Sequence, residues 1–394
     1  MPIVELAENI YWVGVVDWDI RDFHGYETRR GTTYNAYLIV DDKTTLVDTV
    51  KYPFQSKLLA NIQELANPEK IDYIVANHVE KDHSSSLPYI RQFARNATIV
   101  STGRGKDGLT KYYGAEDWTF RTVKTGDELN LGNRTLQFVE APMLHWPDSM
   151  FTYLKEDGIL MPNDAFGQHY ASSQRYDDEV DQGVLMDEAA KYYANILMPF
   201  ASLITRKIEE VSGLAVEPKM IAPSHGVIWR SSPNKIVKSY LEWSEGKTQS
   251  KAVIVYDTMW GSTQKMAYAI LDAIASKGIR VLLFHLRRSD VAEIVKEILD
   301  AKAVILGSPT LNNSMFPTIS NFLTYITGLR PRGKVWTSFG SYGWGGGATR
   351  DINKRLKEAR FEVLEPSLSI KYAPSLEELK KCEEFGQKIA ETIG

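Results

Sequence analysis

The chain has almost no cysteine: Cys382 stands alone among 394 residues. One thiol cannot close an intramolecular disulfide, which suits a reducing compartment, so a cytoplasmic location is expected. It also cannot supply the several thiolates that an FeS4 centre or an iron–sulfur cluster needs, so any metal must rest on His, Asp and Glu. Long apolar runs are missing as well. No stretch of about 18 apolar residues is present, which speaks against a membrane span. The start, Met1-Pro2-Ile3-Val4-Glu5, lacks the basic and apolar segments of a secretory signal. Positive charge is not in excess either: 46 Lys and Arg against 50 Asp and Glu give a net charge of -4, and nucleic acid is not an expected partner. There is no internal repeat and no low-complexity tract.

What is present is a chain too long for one core, with 43% hydrophobic and 24% charged residues. Its first part reads as short β runs broken by turns, with strands expected around 10–16, 35–40, 44–48, 73–76, 98–101, 135–140 and 150–154 and a helix over 54–65. Residues 242–251 are polar and contain Gly246, and read as a linker. From Ala252 onward strands and helices alternate, and five such βα units predict a doubly wound parallel sheet. The expected fold is α/β throughout, with domains at 1–249 and 250–394.

The densest chemistry in the first domain is His78-x-Glu80-x-Asp82-His83, four candidate ligands within six residues, directly after an expected strand. A solvated loop has no reason to gather two imidazoles and two carboxylates at this spacing, so the cluster points to metal. His145, Asp164 and His225 each follow a short apolar run. A single His at such a place is more often a hydrogen-bonded core residue; at strand ends beside the cluster these three become candidate ligands. His24, His169 and His285 lack such company, although His24 can lie near the site. Imidazole mixed with hard oxygen donors suits iron better than thiolate-loving metals.

This cluster resembles the metallo-β-lactamase signature, His-x-His-x-Asp-His, with Glu80 in place of the middle His. Taken together, His78, Glu80, Asp82, His83, His145, Asp164 and His225 resemble the ligand set of the flavodiiron proteins. The resemblance implies one iron on His78, Glu80 and His145, a second on Asp82, His83 and His225, and Asp164 bridging them. It implies an N-terminal metallo-β-lactamase-like αβ/βα sandwich. Two residues near the iron pair are taken as catalytic candidates, His24 and Tyr193, with Tyr26, Tyr192 and Trp146 as further neighbours of the centre.

In the second domain, Thr258-Met259-Trp260-Gly261-Ser262-Thr263 joins the first strand to the first helix. Hydroxyls, backbone N–H groups and a helix N-terminus make an anion site there. No Lys follows a Gly, so it is not a nucleotide P-loop, and no G-x-G-x-x-G marks a dinucleotide site. A monophosphate fits better. Two more loops fall at the same sheet edge, Pro309-Thr310-Leu311-Asn312-Asn313 and Ser341-Tyr342-Gly343-Trp344-Gly345. Aromatics between glycines can flank a flat ring. This part resembles flavodoxin, which implies FMN, its phosphate on 258–263 and its isoalloxazine near Asn312 and Trp344.

The combined resemblance covers nearly the whole chain and implies an oxidoreductase that reduces dioxygen to water, nitric oxide to nitrous oxide, or both. Reduced FMN and a diferrous pair hold two electrons each; dioxygen to two waters takes four, and two nitric oxides to nitrous oxide take two. It further implies a head-to-tail homodimer or homotetramer, in which the flavin of one subunit meets the iron pair of another. With no Cys-x-x-Cys in the chain, electrons are expected from a separate donor, rubredoxin or a reduced deazaflavin coenzyme. The competing reading is a metal-dependent hydrolase of the metallo-β-lactamase fold with a fused flavodoxin domain.

Overall fold

The computed structural model describes residues 2–214 and 216–394. The chain separates into two compact units, Met1–Tyr193 with Phe200–Leu241, and Ala194–Pro199 with Glu242–Gly394. The first contains two sheets. One runs β1 (Val4–Ala7), β2 (Ile10–Trp12), β3 (Tyr37–Ile39), β4 (Thr44–Val47), β5 (Ile71–Val75), β6 (Thr98–Ser101) and β7 (Phe120–Thr122) in spatial as in chain order. Pairing is antiparallel up to β4 and parallel from β4 to β7, where helical crossovers intervene. The other sheet is β8 (Glu128–Asn130), β9 (Thr135–Glu140), β10 (Met150–Leu154), β11 (Ile159–Met161) and β12 (Met220–Ile221), antiparallel except for the last pair. One core cluster draws on both sheets, with Trp12, Val47 and Val75 packed among Phe138, Met150 and Met161. β5 carries its apolar run at the end nearer the site, where Ile74 and Val75 are buried.

In the second unit, β13 (Gln249–Tyr256), β14 (Arg280–His285), β15 (Ala301–Leu311), β16 (Val335–Tyr342), β17 (Glu362–Val363) and β18 (Leu368–Lys371) form a parallel sheet ordered β14-β13-β15-β16, with β17 and β18 both on β16. Helices Ser262–Ala275 and Leu376–Ile393 pack apolar stripes from Met266, Ile270, Ile389 and Ile393 into its core. Two sequence expectations change. The segment 242–251 is not an open linker: a helix runs through Pro233–Glu245 and a strand begins at Gln249. The run 10–16 is two strands, β2 and Val15–Asp17, because the chain leaves the first sheet at Val13–Gly14 to pair with Thr32–Tyr34.

Candidate metal centre and flavin cavity

Strand ends position every candidate ligand. After β5, Asn77 donates through its backbone N–H (2.8 Å) and Nδ2 (3.0 Å) to the Asp48 carboxylate at the end of β4. That grip turns the chain so that His78 and Glu80 enter the interior. The short helix Lys81–Ser84 then presents Asp82 and His83, and Thr49 holds the His83 carbonyl through its hydroxyl and its N–H. His145 lies beyond β9, Asp164 beyond β11 and His225 beyond β12. The His225 turn is fixed by Asn35 and Tyr37, whose side chains donate to the Pro223 carbonyl at 2.7 Å each. Thr33 Oγ1 accepts the Gly226 N–H at 2.6 Å.

The side chains form two adjoining groups, His78, Glu80, His145 and Asp164, and Asp82, His83 and His225, with ligand atoms inside each group within 4.8 Å of one another. Asp164 belongs to both. Its Oδ1 lies 3.1 Å from His83 Nε2 and 3.4 Å from His225 Nε2, and its Oδ2 lies 3.5 Å from His145 Nε2 and 3.8 Å from His78 Nε2. Both oxygens of Asp82, Oδ2 of Asp164 and the Nε2 atoms of His83 and His225 are buried without a hydrogen-bond partner. Polar atoms that converge and yet leave one another unbonded fit cations between them, because each such atom otherwise loses its solvation for nothing. The donor set fits iron.

Protonation tells the same story. Burial opposes charge on His78, but hydrogen bonds to Asp148 and Glu80 hold it well above its ordinary value. Burial likewise opposes, and Asp164 and Glu80 outweigh it, at His145, lifted to about 9. At His225, Asp164 and Asp82 lift the imidazole to about 10 against burial. Burial pushes Asp164 up, and His83, His145 and His225 bring it well below the carboxylate range. The carboxylates therefore draw positive charge to the centre, and a metal competes with protons for the same lone pairs.

Around this centre stand further residues, several of them expected from the sequence. A two-residue turn at His24 and Gly25, both with positive φ (52° and 88°), joins strands Asp22–Phe23 and Tyr26–Glu27 and sets His24 Nε2 2.7 Å from Glu80 Oε1. An opening of about 420 Å³ beside it is lined by Phe23, His24, Lys51, Tyr52, Glu80 and Asp82, among others. His169, unremarkable in the sequence, is buried with Nε2 2.6 Å from Tyr26 Oη and Nδ1 2.9 Å from Thr32 Oγ1. Trp146 packs edge-on to His78 at 5.2 Å. Of the two tyrosines considered, Tyr192 donates to Asp164 Oδ1 at 3.0 Å, whereas the Tyr193 ring packs against Tyr240 at 5.0 Å. The phenol at the centre is thus Tyr192 and not the Tyr193 expected from the sequence, because a helical step of one residue turns the side chain by about 100°.

In the second unit a cavity of about 440 Å³ opens at the C-terminal strand ends. Met259, Trp260 and Ser262 form one wall, Pro309, Thr310 and Leu311 a second, and Ser341, Tyr342, Gly343 and Trp344 a third, all expected from the sequence; Tyr372 and Ala373 were not. Trp260 and Trp344 are 95% and 92% exposed, two large apolar rings at the mouth of one cavity, which fits a flat aromatic ligand between them. Gly261, with φ 86°, precedes helix Ser262–Ala275, whose free N–H groups and dipole fit a phosphate. Thr258, Gly261, Thr263, Asn312, Asn313 and Gly345 are not among the wall residues and shape the loops instead. Thr258 Oγ1 accepts the Gly261 N–H, Thr263 Oγ1 meets Ser341 Oγ at 2.9 Å, and Asn312 and Asn313, at φ 49° and 60°, turn β15 back to Ser314–Met315. Gly347 lets that turn close, since a Cβ there would meet the Asn313 carbonyl at 2.0 Å.

Comparison with known proteins agrees with both halves. Residues 32–226 match the ODP family beta lactamase model and residues 254–386 the flavodoxin model. The chain is 53% identical over 393 residues, 99% of its length and 98% of the relative's, to a nitric oxide reductase of Moorella thermoacetica. It superposes on rubredoxin oxygen:oxidoreductase from Desulfovibrio gigas with a TM-score of 0.97 at 38% identity, covering 99% of this chain and 98% of the other. With the flavodiiron protein from Giardia intestinalis the TM-score is 0.96 at 39% identity, covering 100% and 97%.

Proposed function

Because the chain belongs to the flavodiiron proteins, we propose that it reduces nitric oxide to nitrous oxide, dioxygen to water, or both, at an iron pair supplied with electrons by FMN. The observation that carries this reading is the seven-residue cluster of His78, Glu80, Asp82, His83, His145, Asp164 and His225, two groups with Asp164 within reach of the imidazoles of both. His78, Glu80 and His145 would hold one iron, and Asp82, His83 and His225 the other. Bound there, the iron pair supplies redox equivalents and open positions for a diatomic gas. The flavin, seated by 258–263, 309–313 and 341–345, supplies two electrons at a time.

The protein's own groups do the rest. His24 lies at the opening and hydrogen-bonds Glu80, so it can hold a proton beside the site; its side chain is 67% exposed and exchanges with water. Tyr192 donates to Asp164, the carboxylate that would lie between the two irons, and holds it in one rotamer. Half-buried Trp146 and Phe23 and buried His169 pack their rings on the imidazoles of His78 and His225 and limit the access of water to them. The overall reactions consume protons with the electrons, four of each for dioxygen to two waters, and two of each for two nitric oxides to nitrous oxide and water.

The domains would divide as 1–249 for iron and 250–394 for flavin. The donor would be rubredoxin, a reading supported by the Desulfovibrio gigas relative, or a reduced deazaflavin coenzyme. A head-to-tail homodimer or homotetramer would bring the flavin of one subunit to the irons of another. Among the described residues no helix is long and apolar enough to cross a membrane, and we place the protein in the cytoplasm. Gas consumption at an electrode tests the activity. Iron- and FMN-replete protein, reduced by rubredoxin and its reductase, should consume nitric oxide, dioxygen without release of peroxide, or both. Consumption of neither gas with a reduced flavin would refute the reading.

A further inference from the structure

The two halves of the metal centre are not backed alike. The Nδ1–H of His78, which faces away from the centre, donates to Asp148 Oδ2 at 2.9 Å, and the same oxygen accepts the Val79 N–H at 2.8 Å. Asp148 is buried, and its own carbonyl accepts from Thr102 Oγ1 at 3.0 Å. The carboxylate is therefore held through Oδ2 by two donors, and the backbone that carries it is held by Thr102. In the other half, His225 Nδ1 donates to a neutral acceptor, the Thr33 carbonyl, at 2.6 Å, and buried His83 Nδ1 has no hydrogen-bond partner. Among the described residues Asp148 is the one carboxylate outside the cluster that hydrogen-bonds a ligand imidazole.

A second inequality lies on Asp164. Its Oδ1 faces His83 and His225, and this is the oxygen to which Tyr192 donates at 3.0 Å. The hydrogen bond withdraws electron density on the His83 side and leaves Oδ2, which faces His145 and His78, the stronger donor. One contact opposes this: His24 lies on Glu80 Oε1, in the His78 half. Its side chain is two-thirds exposed, so water screens it, whereas Asp148 acts from a buried position where electrostatic effects are strongest.

An anionic acceptor on Nδ1 gives an imidazole partial imidazolate character and raises its basicity toward metal at Nε2. We propose that Asp148 makes the His78 half the electron-rich half of the centre, so that the iron held by His78, Glu80 and His145 is the more tightly bound and the more readily kept ferric. The inference rests on the flavodiiron reading. Asp148 is a positioning and polarising residue, since it reaches the iron only through His78.

The test uses full-length, iron- and FMN-replete protein and two readouts other than turnover. One is the release of each iron to ferrozine after reduction. The other is the span of potential over which the half-reduced pair gives an EPR signal. Asp148→Asn keeps an oxygen that accepts from His78 and Val79 but removes the charge; Asp148→Ala removes both. Asp148→Asn should loosen one iron about 10- to 100-fold and leave the other within about twofold, in line with the effects of outer partners on metal affinity. It should also narrow the span of the half-reduced signal, and Asp148→Ala should do both more strongly. In a Glu80→Ala background, where the His78 half has lost its iron, adding Asp148→Asn should leave the remaining iron unchanged. An effect there, equal loosening of both irons, or an unaltered Asp148→Asn protein would each overturn the proposal. Wild-type protein that holds no iron pair would overturn the flavodiiron reading itself.

Discussion

Replacing Gly226 with Ala isolates what holds the His225 turn. Gly226 has φ 81°, and a Cβ on it would lie 1.9 Å from Gln168 Oε1 and 2.6 Å from the Gln168 carbonyl. Gln168 is fully buried; its Oε1 accepts the Val227 N–H at 2.8 Å, and its Nε2 donates to the carbonyls of Phe166 (3.1 Å) and Val227 (3.2 Å). Expelling it forfeits these bonds at about 0.5–1.5 kcal/mol each, and the left-handed backbone costs an alanine about 1–2 kcal/mol more. The expected loss, about 3–6 kcal/mol, is a large share of the roughly 5–15 kcal/mol that stabilises a domain. Because His225 is the preceding residue, the same displacement should weaken iron binding. Gly25→Ala is the control: φ there is 88°, but nothing lies within 4 Å of an added Cβ, so only the backbone cost of about 1–2 kcal/mol applies. Urea unfolding of the metal-free full chain gives the stability difference, and iron per chain after purification gives the second readout. Equal destabilisation by the two substitutions, or a Gly226→Ala protein with a full iron complement, would show that the close approach of Gln168 does not hold the turn.

Trp260→Ala and Trp344→Ala should each weaken FMN binding by about 2- to 10-fold, the worth of one stacked ring, as read from flavin fluorescence released on dilution; unchanged retention would place the flavin elsewhere. Glu80→Ala should leave one iron of the pair, and two irons by metal analysis would remove Glu80 from the ligand set. Asp257 carries a pH dependence. Burial pushes its carboxyl up, but hydrogen bonds from Thr318, the Thr258 N–H, Arg287 and His285 hold it below its ordinary value. A depressed carboxylate stabilises above its unfolded pKa of about 3.9 and loses that contribution as pH falls through the lower folded value. The urea midpoint for flavin release should therefore drop below about pH 4 in wild type and change less steeply in Asp257→Asn; parallel curves would show that Asp257 contributes nothing there.

What the sequence showed depended on the distance over which each feature is built. The cluster 78–83 was legible because its four ligands share one loop, and the second unit because each βα repeat marks itself within about 30 residues. Neighbours assembled across the fold left no local trace. Asp148 meets His78 across 70 positions, and His169 meets Tyr26 across 143. Asp148 follows the candidate ligand His145 by three residues, but nothing local shows that its partner is His78, and a His beside Gln168 has nothing near it in sequence to announce a role. The choice between Tyr192 and Tyr193 failed for another reason. The helix Gln182–Tyr192 passes directly into the π-helical segment Tyr193–Leu197, and regular periodicity has no purchase on which of two adjacent phenols faces inward where the winding changes. The features hidden in this way are the second-layer contacts, and these make the halves of the centre unequal. The ligand types alone, two imidazoles and one carboxylate on each side of a shared Asp164, describe a near-symmetric pair. The inequality proposed for the two irons would then come from residues that no local motif contains, and Asp148 is the buried carboxylate that the folded chain puts on a ligand imidazole.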